Sequence, residues 1–143
     1  DNTDGMDVCL IRLDISGNAN KVLFAGAKRP LYYYRNGESE IKRFKGNRYS
    51  IGGLYKNKRQ KEFDTHSLDL QKGDILYLTT DGIIDQVNEN RKRFSSTRLL
   101  TVLQNNIDMS MDKQEKILDK RLEDFRGDSE QRDDITVIGI KII

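Results

Sequence analysis

Apolar and polar positions alternate along the first half of the chain and repeat at helical spacing in the second. From Met6 to Leu13, Cys9, Ile11, Leu13 and Ile15 share one face. On the other face Val8 and Leu10 give way to Arg12 and Asp14, which predicts a strand whose outer side becomes wet toward its end. Ser16-Gly17-Asn18 reads as a turn and Lys21 to Ala25 as the return of a hairpin. After Pro30, Leu31-Tyr32-Tyr33-Tyr34 is a strand, Asn36-Gly37 a two-residue hairpin signal, and Ile41 to Phe44 its partner. Tyr49 to Leu54 reads as a loop. Phe63 to Leu70 alternates weakly, and Lys72-Gly73-Asp74 turns into the apolar run Ile75-Leu76-Tyr77-Leu78-Thr79-Thr80.

The second half changes period. Ser95 and Ser96 can cap a helix bearing Leu99, Leu100, Leu103 and Ile107. A second helix is predicted from about Asp112 to Arg126, with Leu118, Leu122 and Phe125 on one stripe and Gly127 as its C-cap. A final apolar run extends from Ile135 to Ile143. Strands, then helices, then one last strand predict α+β layering, with helices packed on a mainly antiparallel sheet.

Composition narrows the function classes. With 143 residues the chain is one domain or a large piece of one, able to hold a core. A net charge of +2 is too balanced to make nucleic acid the main ligand. No apolar run approaches the ~20 residues that span a bilayer, and no signal peptide is visible, so a cytoplasmic setting is expected. Cys9 is the only cysteine, which excludes internal disulfides and cysteine-rich zinc sites. Its apolar neighbours predict a core position. His66, in a charged alternating stretch, reads as a surface histidine. The basic run Lys56-Asn57-Lys58-Arg59-Gln60-Lys61 reads as a solvated hairpin tip or a lure for an anionic substrate. The chain opens without Met just before a strand, as if cut inside a longer protein.

The acids at the strand ends carry the candidate chemistry. Asp81-Gly82 closes one apolar run and Asp133-Asp134 opens the last. On neighbouring strands they would meet at one rim, where carboxylates repel unless a cation joins them. Hard divalent ions favour such oxygen ligands. The competing reading is that turns simply favour Asp and Gly.

Asp4-Gly5-Met6-Asp7, Phe24 through Leu31, Gly73 through Gly82, and Arg132-Asp133-Asp134-Ile135-Thr136-Val137 occur in the order and spacing of one family. The chain resembles the SpoIIE-like branch of the metal-dependent (PPM, protein phosphatase 2C-type) serine/threonine phosphatases. That resemblance implies an α-β-β-α sandwich with two or more Mg2+ or Mn2+ ions at one end of the paired sheets. It implies metal-ligating, catalytic roles for Asp81 and Asp133, and supporting roles for Asp134, Gly82, Asp4 and Asp7. Lys28 and Arg29 are open to two roles, facing a phosphate or lying on the surface. Relatives supply a further aspartate from an earlier Asp-x-Ser-Gly-His-Gly segment. Asp14-Ile15-Ser16-Gly17-Asn18 looks similar but lies on the wrong side of Asp4-Gly5-Met6-Asp7 and suits the hairpin turn. The resemblance therefore implies that residues 1–143 form the C-terminal half to two-thirds of a phosphatase domain, weakly active or inactive alone. It also implies a phosphoprotein substrate such as an anti-sigma-factor antagonist, upstream sensor or receiver domains, and a parent protein that upstream segments could anchor to a membrane. The alternative is a non-catalytic pseudophosphatase module for protein interaction or homodimer formation.

Overall fold

Two antiparallel sheets face each other, and helices cover one of them. The computed structural model describes residues 4–14, 20–53 and 62–143. Its strands are β1 (Gly5–Met6), β2 (Val8–Asp14), β3 (Asn20–Ala27), β4 (Leu31–Tyr34), β5 (Ile41–Phe44), β6 (Ile51–Gly52), β7 (His66–Leu70), β8 (Ile75–Thr79) and β9 (Val137–Lys141). The helices are α1 (Gly82–Asp85), α2 (Ser95–Asn105) and α3 (Met111–Arg126), all between β8 and β9. One sheet has the order β2-β3-β7, the other β5-β4-β8-β9, and β1 pairs with β6 as a short flap.

Strict alternation along β4 and β8 creates two cores from the same strands. Tyr32, Tyr34, Ile75 and Tyr77 turn toward the helices and pack with Ile83, Phe94, Leu99, Leu103, Ile107 and Leu118. Their neighbours Leu31, Tyr33 and Leu76 turn the other way and meet Val22, Phe24 and Leu70 between the sheets. Cys9, Ile11 and Leu13 of β2 pack against that second core, the face their alternation predicts. Each fully buried aliphatic side chain contributes about 1.5–3 kcal/mol. The buried polar atoms in the helix layer find partners: the Tyr77 hydroxyl donates to Gln114 Oε1 at 2.6 Å, and Gln114 Nε2 donates to the carbonyls of Ile107 and Met109.

The two helices lie close to their predicted places. Gly127, at φ +56°, ends α3, its amide donating to the Glu123 carbonyl. The start of α2 differs in detail, because Phe94 holds the N-cap position and forms no side-chain cap bond. The β2–β3 hairpin pairs Asp14 with Lys21; its predicted turn at Ser16-Gly17-Asn18 lies outside the described residues. So does the basic run from Lys56 to Lys61. The Asn36-Gly37 signal marks a turn, but Tyr34 pairs with Ile41, so the connection is longer than two residues. Asn36 is drawn instead to the buried Asp74, whose Oδ1 accepts its amide at 2.8 Å. The segment read as a loop at Tyr49 to Leu54 contains β6, which pairs Met6 with Ile51.

The fold is thus mixed α+β with mainly antiparallel sheets, as predicted. The described residues build its sheet, sheet and helix layers. No described helix is long and apolar enough to cross a membrane.

Candidate metal-proximal rim

Register brings the acidic segments to one end of the molecule. β8 and β9 pair antiparallel from Ile75↔Lys141 to Thr79↔Val137. The ladder continues one step further, where the Thr80 amide donates to the Thr136 carbonyl at 3.0 Å and Thr80 Oγ1 accepts the Thr136 amide at 2.9 Å. Thr80 Oγ1 also donates to the Asp134 carbonyl at 2.9 Å. Asp81 and the Asp133-Asp134 pair therefore flank the same frayed end of two neighbouring strands. Gly82 permits the approach: a Cβ there would stand 2.3 Å from the Asp134 carbonyl oxygen.

A second pair of segments crosses nearby. Gly26 and Gly46 pack so tightly that a Cβ on Gly26 would lie 2.3 Å from the Arg29 carbonyl oxygen and 2.9 Å from Gly46 Cα. The Asn47 amide donates to the Gly26 carbonyl, and the Lys28 amide to the Asn47 carbonyl, both at 2.7 Å. Lys28 adopts φ +57°, a conformation L residues rarely take. This clasped bend delivers the Arg29 side chain to a cleft of about 210 Å³ between the sheets. Its walls include Asp7, Cys9, Leu78, Asp81, Thr136 and Ile138.

In that cleft Arg29 joins two acids. Arg29 Nη2 donates to Asp81 Oδ2 at 2.8 Å and to Asp7 Oδ2 at 3.1 Å. Ser50 Oγ donates to Asp7 Oδ1, and Lys28 Nζ lies 3.5 Å from the same oxygen. Burial works against ionisation of Asp7, but the hydrogen bonds from Ser50 and Arg29 and the charges of Lys28 and Arg29 outweigh it. The carboxyl is held below the usual carboxylate range. Burial pushes the Cys9 thiol up to about 11.

The site residues read from the sequence are thus only partly gathered. Asp7 and Asp81 share the cleft. The exposed Asp133 turns its Oδ1 back to accept the Asp134 amide at 2.8 Å, and neither Asp133 nor Asp134 lines the cleft. Asp4 is exposed, just ahead of β1. His66 is exposed and stacks against Phe24. Arg29, Ser50 and Thr80 are the contributors that patterning did not single out as a set. Their sequence signals are slight: a cation just before Pro30 and, for Thr80 alone, a hydroxyl next to an acid.

The donors here fit a hard divalent ion in kind, since all are carboxylate or hydroxyl oxygens. They do not fit in number. Among the described residues no group of three or more His, Cys, Asp or Glu side chains is arranged to hold a metal.

A helix-backed sandwich with aspartates at the ends of paired strands defines the class, the 2C-type metal-dependent protein phosphatases. The family model for Stage II sporulation protein E (SpoIIE) matches residues 1–143, and the chain belongs to that family. It is similar to the SiaA-PP2C domain of Pseudomonas aeruginosa, with 31% identity, a TM-score of 0.75, and coverage of 86% of this chain and 47% of that one. It also shares its fold with the phosphatase domain of the cell fate determinant SpoIIE from Bacillus subtilis, presoaked in Mn. That match has a TM-score of 0.64, 16% identity, and covers 95% of this chain and 56% of that one. A third match is the catalytic domain of the serine/threonine protein phosphatase PstP in complex with two manganese ions, at TM-score 0.54 and 16% identity, covering 96% of this chain and 60% of that one. The chain spans about half the length of the solved structures it matches. No curated protein matches it.

Proposed function

We propose that this chain supplies the C-terminal portion of the domain, and part of the metal site, of a Mg2+- or Mn2+-dependent phosphatase acting on phosphoserine or phosphothreonine. Asp81 and Asp133 are the ligands it contributes, with Asp134, Gly82, Asp4 and Asp7 in support. The observation that carries this reading is the Thr80–Thr136 ladder step, which holds Asp81 and the Asp133-Asp134 pair at one rim of a family fold whose relatives take up manganese. The remaining ligands come from residues outside this chain.

Bound divalent ions supply an acidified water and neutralise phosphoryl oxygens. The chain's own residues do the positioning. Asp81 offers its carboxylate, 40% exposed, at the mouth of the cleft. Thr80 and Gly82 hold the Asp133-Asp134 segment against the end of β8. Cys9 stays a neutral thiol near pH 7, so it is not the nucleophile of this scheme. The substrate class that suits the reading is a phosphorylated signalling protein such as an anti-sigma-factor antagonist, with sensor or receiver domains upstream in the parent.

One observation favours a second reading, a non-catalytic interaction module. Leu10 is 61% exposed and Ile138 49% exposed, both on strands at sheet edges, where a second copy of the chain could pair. Manganese-dependent hydrolysis of p-nitrophenyl phosphate separates the two. The parent protein is expected to turn over, and Asp81→Asn or Asp133→Asn to abolish turnover. Activity retained in either variant removes that residue from the site, and a parent inactive at every metal concentration favours the interaction module. Residues 1–143 alone are expected to be inactive.

A further inference from the structure

α3 and β9 leave an open groove of about 400 Å³ between them, and it reaches down to Tyr77 of β8. Gly139 lies in its floor, where a Cβ would stand 3.2 Å from Met111 Sδ and 3.5 Å from the Tyr77 ring. Met111, Leu122, Ile135 and Val137 line the groove and pack against the helix-side core, yet all four are only partly buried. β9 is the outermost strand of its sheet among the described residues, so the groove lies at an uncovered margin.

One edge of the groove is charged, and with one sign only. Asp112, Glu115 and Asp119 line it, all exposed, and no lysine or arginine does. They stand three and four residues apart, which places them on one stripe over two turns of α3. Along α3 acids and cations occur in equal number, and the chain as a whole carries +2, so this sorting is local to the groove. No ion pair among the described residues includes any of the three acids. An apolar floor with an acidic edge is complementary to an amphipathic helix. Its apolar stripe would lie on the floor, and lysines or arginines at the matching spacing would meet the acids. The same charges repel nucleic acid, an anionic lipid surface and a phosphorylated segment.

We propose that the groove between α3 and β9 is the docking site for a basic amphipathic helix of a partner protein. Its place in the fold gives such a partner a path to the acidic rim. Ile83 follows Gly82 and Ile135 follows Asp134, and both line the groove. A helix seated on them touches the reverse side of the segments that carry Asp81 and the Asp133-Asp134 pair. The docking itself is independent of any metal role for those acids.

The first test follows the fluorescence anisotropy of a labelled peptide with one leucine stripe and lysines at its other positions. It is expected to bind the protein, and Glu115→Lys with Asp119→Lys is expected to weaken binding about tenfold or more. Asp112 is left in place because it also favours the start of α3. Glu123→Lys with Asp124→Lys makes the same change of charge on the same helix outside the groove, and is expected to leave the affinity nearly unchanged. A twin peptide with glutamates for lysines is expected to bind only the protein carrying Glu115→Lys and Asp119→Lys. Circular dichroism checks that each variant keeps its fold. Absence of binding, equal binding of a scrambled peptide of the same composition, or equal loss in both pairs of variants overturns the proposal. Binding that residues 1–143 show and the parent protein lacks assigns the groove to the remainder of its own chain, which also overturns it. So does a dimer that Glu115→Lys with Asp119→Lys converts to monomer in light scattering, because the occupant is then a second copy.

The second test needs no variant that might misfold. The leucine–lysine peptide is titrated into 15N-labelled protein, and the largest amide shifts are expected at Ile83, Met111, Ile135 and Val137. Shifts confined to other surfaces overturn the proposal.

Discussion

At Gly82 one missing methyl group decides whether two segments can meet. Any side chain there drives a Cβ to 2.3 Å from the Asp134 carbonyl oxygen, and the two nearest atoms are backbone rather than a yielding side chain. Gly82→Ala is expected to cost about 1–3 kcal/mol in urea unfolding and, in the parent protein, to lower turnover by displacing the Asp133-Asp134 segment. Asp7 makes a prediction with a sign. Its folded pKa lies below the unfolded value, so it contributes stability above about pH 4 that is lost as pH falls through the depressed folded value. Asp7→Asn is therefore expected to flatten the acid side of the stability–pH curve and leave its slope near neutrality unchanged. Unfolding midpoints measured from pH 2 to 7 check this. A variant curve that keeps the full acid slope assigns the loss to other carboxylates.

At the scale of elements, β8 carries an acid near each end with opposite surroundings. Asp74, just before it, is fully buried: its carboxylate accepts the Tyr33 hydroxyl at 2.7 Å and the amides of Asn36 and Gln71. Asp81, just past the other end, faces a cleft. Asp74→Ala strips three donors of their acceptor and is expected to destabilise the chain by about 3 kcal/mol, measured by thermal or urea unfolding. Both acids follow or precede the same apolar run, and nothing local in the sequence distinguishes the anchor from the candidate ligand. That difference arises from tertiary placement. What was legible follows from period: alternation in β2 and the leucine stripe of α2 specify faces by themselves, while the unbroken apolar runs of β4 and β8 mark strands without choosing a face. The Asn36-Gly37 register was not legible, because Asn36 is bound by Asp74 from a distant part of the chain. The pairing of Arg29 with Asp7 and Asp81 was hidden for the same reason, since it joins residues 22 and 52 positions apart.

At the scale of the whole molecule, a packed core fills each layer while the outermost strands keep an open edge. β2 and β9 are edge strands among the described residues, and Leu10 and Ile138 project there largely exposed. Exposed apolar residues on open edges invite pairing with another strand. Residues 1–143 alone are expected to self-associate in a concentration-dependent way. Leu10→Lys with Ile138→Lys is expected to shift the population toward monomer by light scattering coupled to size exclusion. An unchanged distribution places self-association elsewhere.

The contrast between packed cores and open edges also has a consequence in time. Amides in β4, β8 and the buried faces of α2 and α3 can exchange with deuterium only when the packed cores open. Those at the free edge of β2 and around Asp7 need only a local fluctuation. Exchange is expected to finish at the acidic rim long before it begins under the helices. A ligand that bridges the rim would slow the fast amides first and leave the slow ones untouched. The rate map would then report occupancy of the site in a protein whose bulk stability barely moves.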